Sequence, residues 1–428
     1  MIWLLVLLFF VLIFLGVPVS FSMAAVSLLG LWVFDLPLMM MIQKMHSGND
    51  QFPFLAVPFF ILAGMLMETG GISLRLVNLA KGLVGHMRGG LGMVAVVSEV
   101  FFSGISGSSL ADASAIGSMM LPALRNGGYS KEHSVCIISA ATGMGMLIPP
   151  CLNMLILAAI ANLSVAALFL AGFLPGFFMA VALMAFIYYQ SRKGILPGGE
   201  EAFSLRRLGH AAVRAALPMM MPVIIFGGIL GGVATATEAA VLAVVYALIV
   251  GLLVYREIKI PDLPRIFVDT LVITGSMSLL VGASTLFSWI LATQQVPEMV
   301  GNLMMSFTKD PYVFLVVANL FFLVTTGLMD GLPALLIFYP ILYPIALKFG
   351  IHPIHFTLLA VAASGIGLIL PPIGLAFIIL CSISKTPASS LLRPMVPYVL
   401  ILVATFFVIL FVPWFVLLLP KLAIPGFR

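Results

Sequence analysis

Clusters of small hydroxyl residues and glycine interrupt the long apolar stretches of this chain. One cluster places four serines within 103–109, and a second places two threonines beside a glycine at 325–327. Hydroxyl oxygens are uncharged, hard donors that suit a weakly bound Na⁺, and glycine lets the backbone approach such an ion closely. These residue types therefore predict cation binding. The four serines are Ser103, Ser106, Ser108 and Ser109.

A second motif occurs twice. The sequence Gly-Met-Gly-Met-Leu-Ile-Pro-Pro at 143–150 reappears as Gly-Ile-Gly-Leu-Ile-Leu-Pro-Pro at 365–372, 222 positions later. Proline removes a backbone donor and clashes with the preceding turn, so each copy should interrupt a helix. In hydrocarbon a freed carbonyl needs another partner, which restricts such breaks to protein interiors or cavities. One broken helix in each half is typical of the substrate or ion site of a secondary transporter.

The polar tips and the breaks together suggest two half-sites. Near the first break, the carbonyl groups of Gly145, Ile148 and Pro149 could join the serine cluster around one cation. Helix N-termini at both breaks would present positive dipole ends to a carboxylate substrate. The alternative is that glycine, serine and threonine only allow close helix packing. The analogous second set is Thr325, Gly327, Gly367, Leu370 and Pro372.

Ionisable side chains inside apolar segments are costly and are therefore candidate functional groups. Asp330 lies at the second tip, where it could bind a cation or substrate hydroxyls, or cap the next helix. Asp112 follows Ser109 with the Ser-x-x-Asp spacing of a capping box, which favours a capping role. Glu99 is expected to pair with a neighbour. Asn153, just after the first break, could contact substrate or serve the first turn of a helix.

Composition places the chain in a membrane. Hydrophobic residues make up 62% of its 428 residues and charged residues 8%, and the mean hydropathy is +1.23, whereas soluble domains carry about 25% charged residues. The net charge of +5 indicates membrane topology rather than nucleic-acid binding. The sequence contains no Gly-x-x-x-x-Gly-Lys-Ser/Thr loop, so we expect no ATP hydrolysis. An enzyme that uses Asp112 and Asp330 as a carboxylate pair is disfavoured, because they lie in separate hairpins.

Apolar runs of about 20 residues predict the membrane-spanning helices. Two segments, 91–123 and 312–347, have polar tips between arms of about a dozen residues, which predicts re-entrant hairpins. Two others, 131–162 and 355–384, are the predicted broken helices. The remaining predicted helices are 3–17, 19–42, 52–69 and 166–190 in the first half and 216–232, 235–255, 267–293 and 394–419 in the second, with amphipathic segments at 73–87 and 297–308.

This order predicts an all-α integral membrane protein made of two inverted repeats, with about 10–11 transmembrane helices besides the two hairpins and two broken helices. The first repeat covers 1–190, a cytoplasmic linker covers 191–215, and the second repeat covers 216–428; residues 1–90 and 216–308 are expected to form a scaffold. With the linker in the cytoplasm, 15 of the 20 basic residues lie inside, as the positive-inside rule requires. The side of the C-terminus stays open, because an eleventh crossing would reverse it.

Specific motifs then indicate a family. At 102–113, Phe-Ser-Gly-Ile-Ser-Gly-Ser-Ser-Leu-Ala-Asp-Ala, followed by Ile-Pro-Pro at 148–150, the chain resembles the large membrane subunit of tripartite ATP-independent periplasmic (TRAP) transporters. The Gly-x-Gly-x-x-x-Pro-Pro-x-Gly at 365–374 is similar to that family as well. The resemblance covers essentially the whole chain. It implies an elevator-type, ion-transporter-like fold, a multi-pass location in the bacterial inner membrane, and uptake coupled to Na⁺, with two or more ions.

The resemblance also implies partners and ligands. The partners would be a separate small four-helix membrane subunit and a soluble periplasmic protein that delivers the substrate. Family substrates are organic acids such as C4-dicarboxylates, sialic acid and other sugar acids. By motif position, the first Na⁺ site falls on Ser103, Ser106, Gly145, Ile148 and Pro150, and the second on Thr325, Gly327, Gly367, Leu370 and Pro372. The expected substrate contacts are Ser108, Ser109, Asn153 and Asp330.

Two alternatives stay open at this point. An ion channel could use the polar tips as a filter, and a Na⁺-coupled anion carrier could work without a binding protein. The two half-sites also differ, because Ser106 corresponds to Leu328 at the offset of 222 residues, and leucine offers no hydroxyl. We therefore expect ion and substrate duties to be divided unequally between the halves.

Overall fold

A computed structural model describes residues 1–199, 203–424 and 426–427. Within them all regular secondary structure is helical, as predicted, and eight segments are long and apolar enough to cross a membrane. The chain is therefore an all-α integral membrane protein. The eight segments are Phe52–Thr69, Val165–Arg192, Leu205–Leu230, Ala236–Val254, Ile260–Thr293, Pro311–Leu328, Gly331–Lys348 and Ala388–Phe411.

The same order of elements runs through both halves: outer helices, a short amphipathic helix, a helical hairpin, a broken helix and a further long helix. In the described residues the first half comprises α1 (Ile2–Phe14), α2 (Val19–Val33), α3 (Met39–Asn49), α4 (Ala56–Thr69), α5 (Ile72–Val84), α6 (Gly90–Ser106), α7 (Ser109–Asn126), α8 (Lys131–Gly145), α9 (Leu152–Ile160) and α10 (Val165–Arg192). The second comprises α11 (Leu205–Leu230), α12 (Ala236–Leu248), α13 (Leu263–Thr293), α14 (Val296–Phe307), α15 (Pro311–Leu328), α16 (Gly331–Lys348), α17 (Pro353–Leu368), α18 (Leu375–Ser384), α19 (Ala388–Phe411) and α20 (Trp414–Ala423).

Two of the predicted helices are wrong in extent because proline divides them. The predicted helix 19–42 ends at Val33, and α3 begins separately after Pro37. The predicted helix 394–419 is divided before Pro413 into α19 and α20. Proline cannot donate to the helix ladder and disfavours a helical residue before it. With 10 residues, α20 is too short to cross a bilayer, which takes about 20.

The polar connection between the halves is shorter than the predicted linker 191–215. Helix α10 continues to Arg192, and α11 begins at Leu205 rather than near 216. Ser204 caps α11, its Oγ accepting a hydrogen bond from the backbone N–H of Arg207 at 3.4 Å. Such a cap satisfies one of the unpaired donors at a helix start. The predicted apolar helix 216–232 is therefore the second part of α11, whose first turns contain basic residues.

The hairpin arms are also longer than the dozen residues predicted, because the polar segments stay helical up to the turn. Helices α6 and α7 have 17 and 18 residues, and α15 and α16 have 18 each. The first turn consists of Gly107 and Ser108, and the second of Met329 and Asp330. Gly107 has φ +66°, a conformation that glycine adopts without a steric penalty. That these hairpins are re-entrant stays a prediction.

The two broken helices form the centre of the molecule. Every residue from 134 to 159 and from 354 to 369 is buried. Helices α10 and α19 pack around α8 and α17, whereas the outer helices α11, α12 and α13 bury only 22%, 39% and 33% of their most apolar windows. The motif that the sequence repeats therefore lies in the protein interior, and the outer helices present their apolar surface to lipid.

The repeated glycines bring the two halves into direct contact. A Cβ atom on Gly143 would lie 2.9 Å from the carbonyl oxygen of Gly365, and one on Gly365 would collide with the carbonyl oxygen of Gly143. A residue pair in which each member meets the other in the same way is what a two-fold relation requires. The inversion of the halves across the membrane stays a prediction.

Candidate functional site

The first hairpin tip is organised by Asp112 rather than by a capping box. Ser103 Oγ donates a hydrogen bond of 3.0 Å to Asp112 Oδ2, and Ser106 Oγ donates to Oδ1. The backbone N–H of Ser108 in turn donates to Ser106 Oγ at 3.2 Å. The predicted capping role with Ser109 is therefore wrong, because both carboxylate oxygens accept from serines on the preceding arm. Two donors on one carboxylate fit its ionised form, which only accepts hydrogen bonds.

The first helix break lies directly against this tip. A Cβ atom on Gly107 would come within 2.8 Å of the carbonyl oxygen of Pro150, and the backbone N–H of Leu152 donates a 3.1 Å hydrogen bond to the carbonyl oxygen of Gly107. The backbone N–H of Ile148 donates to the carbonyl oxygen of Gly145 at 2.9 Å, which uses one of two lone pairs. The structure thus brings together the regions that the sequence assigned to the first Na⁺ site.

Glu99 forms part of the same cluster. Its side chain is 0% exposed, and neither carboxylate oxygen has a hydrogen-bond partner among the described residues. The hydroxyl groups of Ser103 and Thr142 lie close enough to favour its charged form, whereas the nearby Asp112 carboxylate repels it. A Cβ atom on Gly145 would collide with Ser103 Oγ and lie 3.1 Å from Glu99 Oε1. Gly145 therefore allows a hydroxyl and a buried carboxylate to approach the backbone of the break closely.

The oxygen donors around Gly145 fit Na⁺. It consists of hydroxyl, carbonyl and carboxylate oxygens, which are hard ligands for hard cations. In the part of the chain that the structure describes, no group of three His, Cys, Asp or Glu side chains is placed to hold a metal ion. The unpaired oxygens of Glu99 and the close approach of Ser103 Oγ and Glu99 Oε1 to Gly145 are the two observations that support an ion here.

The second half-site is built differently. Thr325 Oγ1 donates to the carbonyl oxygen of Phe321 at 2.8 Å, and Thr326 Oγ1 donates to that of Phe322 at 2.7 Å. A Cβ atom on Gly367 would collide with Thr326 Oγ1. The residue facing the break is therefore Thr326, which the sequence analysis did not assign; its position beside the predicted Thr325 was the available signal.

Among the other residues predicted for the second site, the structure brings Gly327 to the break. A Cβ atom on Gly327 would lie 3.4 Å from the carbonyl oxygen of Gly367 and 3.9 Å from Leu370 Cβ. Pro372 is exposed, as is Ile373 at 44%, whereas the first break is buried throughout. The second half-site is thus the more accessible of the two.

The residues predicted to contact substrate lie in two places. Asp330 caps α16, its Oδ1 accepting from the backbone N–H of Gly331 at 2.7 Å, as one of the two alternatives predicted. Asn153 lies in the first turn of α9, is 7% exposed, and its Nδ2 has no hydrogen-bond partner among the described residues. Ser108 and Ser109 lie at the first tip, and Leu152, which precedes Asn153, donates its backbone N–H to the carbonyl oxygen of Gly107 in that tip at 3.1 Å. An unpaired amide donor beside a helix N-terminus is suited to an anion.

Comparisons with known proteins agree with this architecture. A family model described as "Tripartite ATP-independent periplasmic transporter, DctM component" matches residues 6–415. The uncharacterized protein YgiK of Salmonella typhimurium is 39% identical over 96% of this chain and 95% of its own. The sialic acid TRAP transporter large permease SiaM of Vibrio cholerae is 35% identical over 96% of both chains, and the C4-dicarboxylate large permease DctM of Pseudomonas aeruginosa is 34% identical over 88% of both.

A solved structure supports the fold independently of close sequence similarity. The crystal structure of the YdaH transporter of Alcanivorax borkumensis superposes with a TM-score of 0.65 over 87% of each chain at 14% identity. At this identity the likeness concerns the fold alone. Together with the family match over nearly the whole length, these findings point to a transporter rather than an enzyme, and the chain belongs to the DctM family, the large permease components of TRAP transporters.

Proposed function

We propose that this chain is the large permease of a Na⁺-coupled transporter that imports an organic acid across the inner membrane by an elevator mechanism. The observation that carries the coupling is the cluster of oxygen atoms where the first hairpin tip meets the first break, with Asp112 holding both serine hydroxyls. Large permeases of this family act with a small permease and a periplasmic binding protein. We propose that the small permease is a separate chain in this system.

In the first site, Na⁺ is bound as a co-transported ion among the oxygens of Ser103 and Ser106 and the carbonyl groups at Gly145, Ile148 and Pro150. Each serine hydrogen points to Asp112, so a hydroxyl lone pair remains for the ion. The ion supplies positive charge to an otherwise anionic interior. The residues themselves hold the tip against the break through the hydrogen bond from Leu152 to Gly107.

A second ion is proposed between the second tip and the second break. Thr325, Gly327, Gly367, Leu370 and Pro372 are its proposed surroundings. Thr326 belongs with them, because its hydroxyl faces Gly367. Both threonine hydroxyls donate their hydrogen to carbonyls of the preceding turn, which leaves oxygen lone pairs for an ion.

The substrate is proposed to be a carboxylate held between the half-sites. Helices α9 and α18 begin at the breaks without a side-chain cap, so their N-terminal N–H groups and dipoles favour an anion. Asn153 and the serines at 108 and 109 supply further donors, and Asp330 faces substrate hydroxyls. The sialic acid and C4-dicarboxylate permeases among the relatives support an organic acid.

Na⁺ binding and substrate binding are coupled because both order the same backbone segments. The hairpins and the broken helices, with α10 and α19 packed on them, form the moving unit, and the outer helices form the scaffold. Ions at the breaks fix backbone that lacks helical hydrogen bonds, and this fixed backbone builds the carboxylate site. An ion that raises substrate affinity is itself bound more tightly with substrate, by the same factor.

Uptake into proteoliposomes tests the proposal. The chain is reconstituted with its small permease and binding protein, and uptake of labelled sialic acid and of a labelled C4-dicarboxylate is measured with inward Na⁺ or K⁺ gradients. Uptake should require both the Na⁺ gradient and the binding protein. Uptake that is insensitive to the Na⁺ gradient would refute coupling, and flux without the binding protein would favour a channel.

Serine variants test the first site. We expect Ser103→Ala and Ser106→Ala each to raise the Na⁺ concentration for half-maximal uptake about tenfold, the equivalent of about 1.4 kcal/mol of lost binding. Ser118→Ala is the matched control, because Ser118 lies on the same hairpin and its hydroxyl only bonds the carbonyl oxygen of Ala115. Unchanged Na⁺ activation in both test variants would remove the site from consideration.

A further inference from the structure

We propose that Glu99 supplies the negative charge of the first cation site and binds the ion directly. This inference rests on the proposed Na⁺ coupling and deepens it, because Glu99 is outside the donor set predicted from the motifs. The carboxylate is 0% exposed, and both of its oxygens lack hydrogen-bond partners in the described part of the chain. A buried carboxylate in that condition can carry its charge only beside a compensating positive charge, which a bound cation would provide.

The position of Glu99 directs it at the site. Glu99, Ser103 and Ser106 follow one another at spacings of four and three residues on α6, which places them on one face of the helix. The opposite wall is Gly145, whose absent side chain would otherwise collide with Ser103 Oγ and lie 3.1 Å from Glu99 Oε1. The carboxylate therefore approaches the same point of the break as the first serine.

No protein cation balances this charge. Among the described residues, no Lys, Arg or His forms a salt bridge with Glu99 or Asp112. Asp112 already accepts from two hydroxyls, so its oxygens are partly satisfied, whereas those of Glu99 are not. A bound Na⁺ between the two carboxylates would satisfy Glu99 and offset the repulsion between them.

The roles of the two acids then differ. Asp112 is a positioning residue, because it turns the serine hydroxyls so that their lone pairs face the ion. We assign Glu99 the role of a ligand, because no hydrogen bond of normal geometry occupies its oxygens among the described residues. The proposed ligands are then one carboxylate, two hydroxyls and the carbonyls of the break, a set of hard oxygen donors suited to a hard cation.

Cation-dependent thermal stability of the purified chain with its small permease tests this inference without transport. The melting temperature is followed as NaCl replaces choline chloride at constant ionic strength, which gives a midpoint Na⁺ concentration. For Glu99→Gln we expect the midpoint to rise at least tenfold, because the amide keeps the size and loses the charge. Glu298→Gln is the control, since Glu298 is exposed on α14, and its midpoint should match the parent.

The outcomes separate this inference from the proposed function. A Glu99→Gln midpoint within twofold of the parent, with Ser103→Ala strongly shifted, would overturn the role of Glu99 and leave the Na⁺ site intact. No Na⁺ stabilisation in the parent would refute the site itself. Should Glu99→Gln fail to fold, Glu99→Asp decides: it keeps the charge and withdraws it by one methylene, so a raised midpoint supports ligation and an unchanged midpoint overturns it.

Discussion

Replacing Asp112 by Asn is the sharpest test of how the first tip is organised. In the parent, the two carboxylate oxygens accept from Ser103 and Ser106. Asn offers one acceptor oxygen and one amide donor of nearly the same shape. One serine hydroxyl therefore loses its acceptor and must rotate, because its hydrogen would otherwise point at the amide hydrogens. Its lone pair then turns toward the amide and away from the proposed ion.

The magnitude follows from the hydrogen bond that is lost. A hydrogen bond to a charged acceptor contributes about 1.5–3 kcal/mol. Loss of one such bond, about 2 kcal/mol, lowers Na⁺ affinity about thirtyfold, since 1.4 kcal/mol corresponds to tenfold. The loss of Na⁺ affinity should be larger, in free energy, than the loss of stability measured in choline chloride. Without Na⁺ the serine hydroxyl is free to rotate to another acceptor, whereas with Na⁺ bound its lone pair must point at the ion.

The assay is a Na⁺ titration of thermal stability, followed by Na⁺ dependence of uptake. Asp269→Asn is the matched control, because Asp269 is 48% exposed and pairs only with Arg265 at 3.7 Å, an exposed contact worth well under about 1 kcal/mol. An Asp112→Asn protein that melts as the parent does and needs no more Na⁺ would refute the reasoning that Asp112 orients the hydroxyls.

Two further predictions concern packing. Gly143→Ala should lower the melting temperature by an amount equivalent to about 1–3 kcal/mol, because the new methyl group meets the carbonyl oxygen of Gly365 at 2.9 Å. The control is Gly275→Ala, where nothing lies within 4 Å, and it should be neutral or stabilising. Equal effects of the two substitutions would contradict the close approach. Tyr398→Phe should cost about 1–3 kcal/mol, because its hydroxyl donates to buried Gln190 Oε1 at 2.7 Å; thermal unfolding checks this, and an unchanged melting temperature would mean that water replaces the bond.

Local signals predicted the elements well, because each rests on a backbone rule that acts within a few residues. Paired prolines at 149–150 and 371–372 produce breaks wherever they lie in a helix, and Gly107 permits the turn between two arms. The two wrong helix extents have the same cause. The continuous hydrophobicity of 19–42 and 394–419 favoured one helix in each case, although Pro37 and Pro413 interrupt them.

The partners of the acids could not be predicted from the sequence. The Ser-x-x-Asp spacing from Ser109 to Asp112 is typical of a cap, yet the hairpin folds Asp112 back onto Ser103 and Ser106, where two acceptor sites meet two donors. Glu99 was recognised as an unusual acid, but whether its oxygens find hydrogen-bond partners depends on how several helices pack around it. Only the three-dimensional arrangement shows which groups surround it, with Ser103, Thr142 and Asp112 nearest in charge and hydrogen bonding.

The glycine contact between α8 and α17 has a consequence for how such a protein can change over generations. Because Gly143 and Gly365 each occupy the space that a side chain on the other would need, a larger residue at one position is a steric event in the other half. The two halves can diverge at their tips, as their hydroxyls and acids have done, but not at this point. The close contact between these two glycines therefore ties substitutions in one half to the packing of the other.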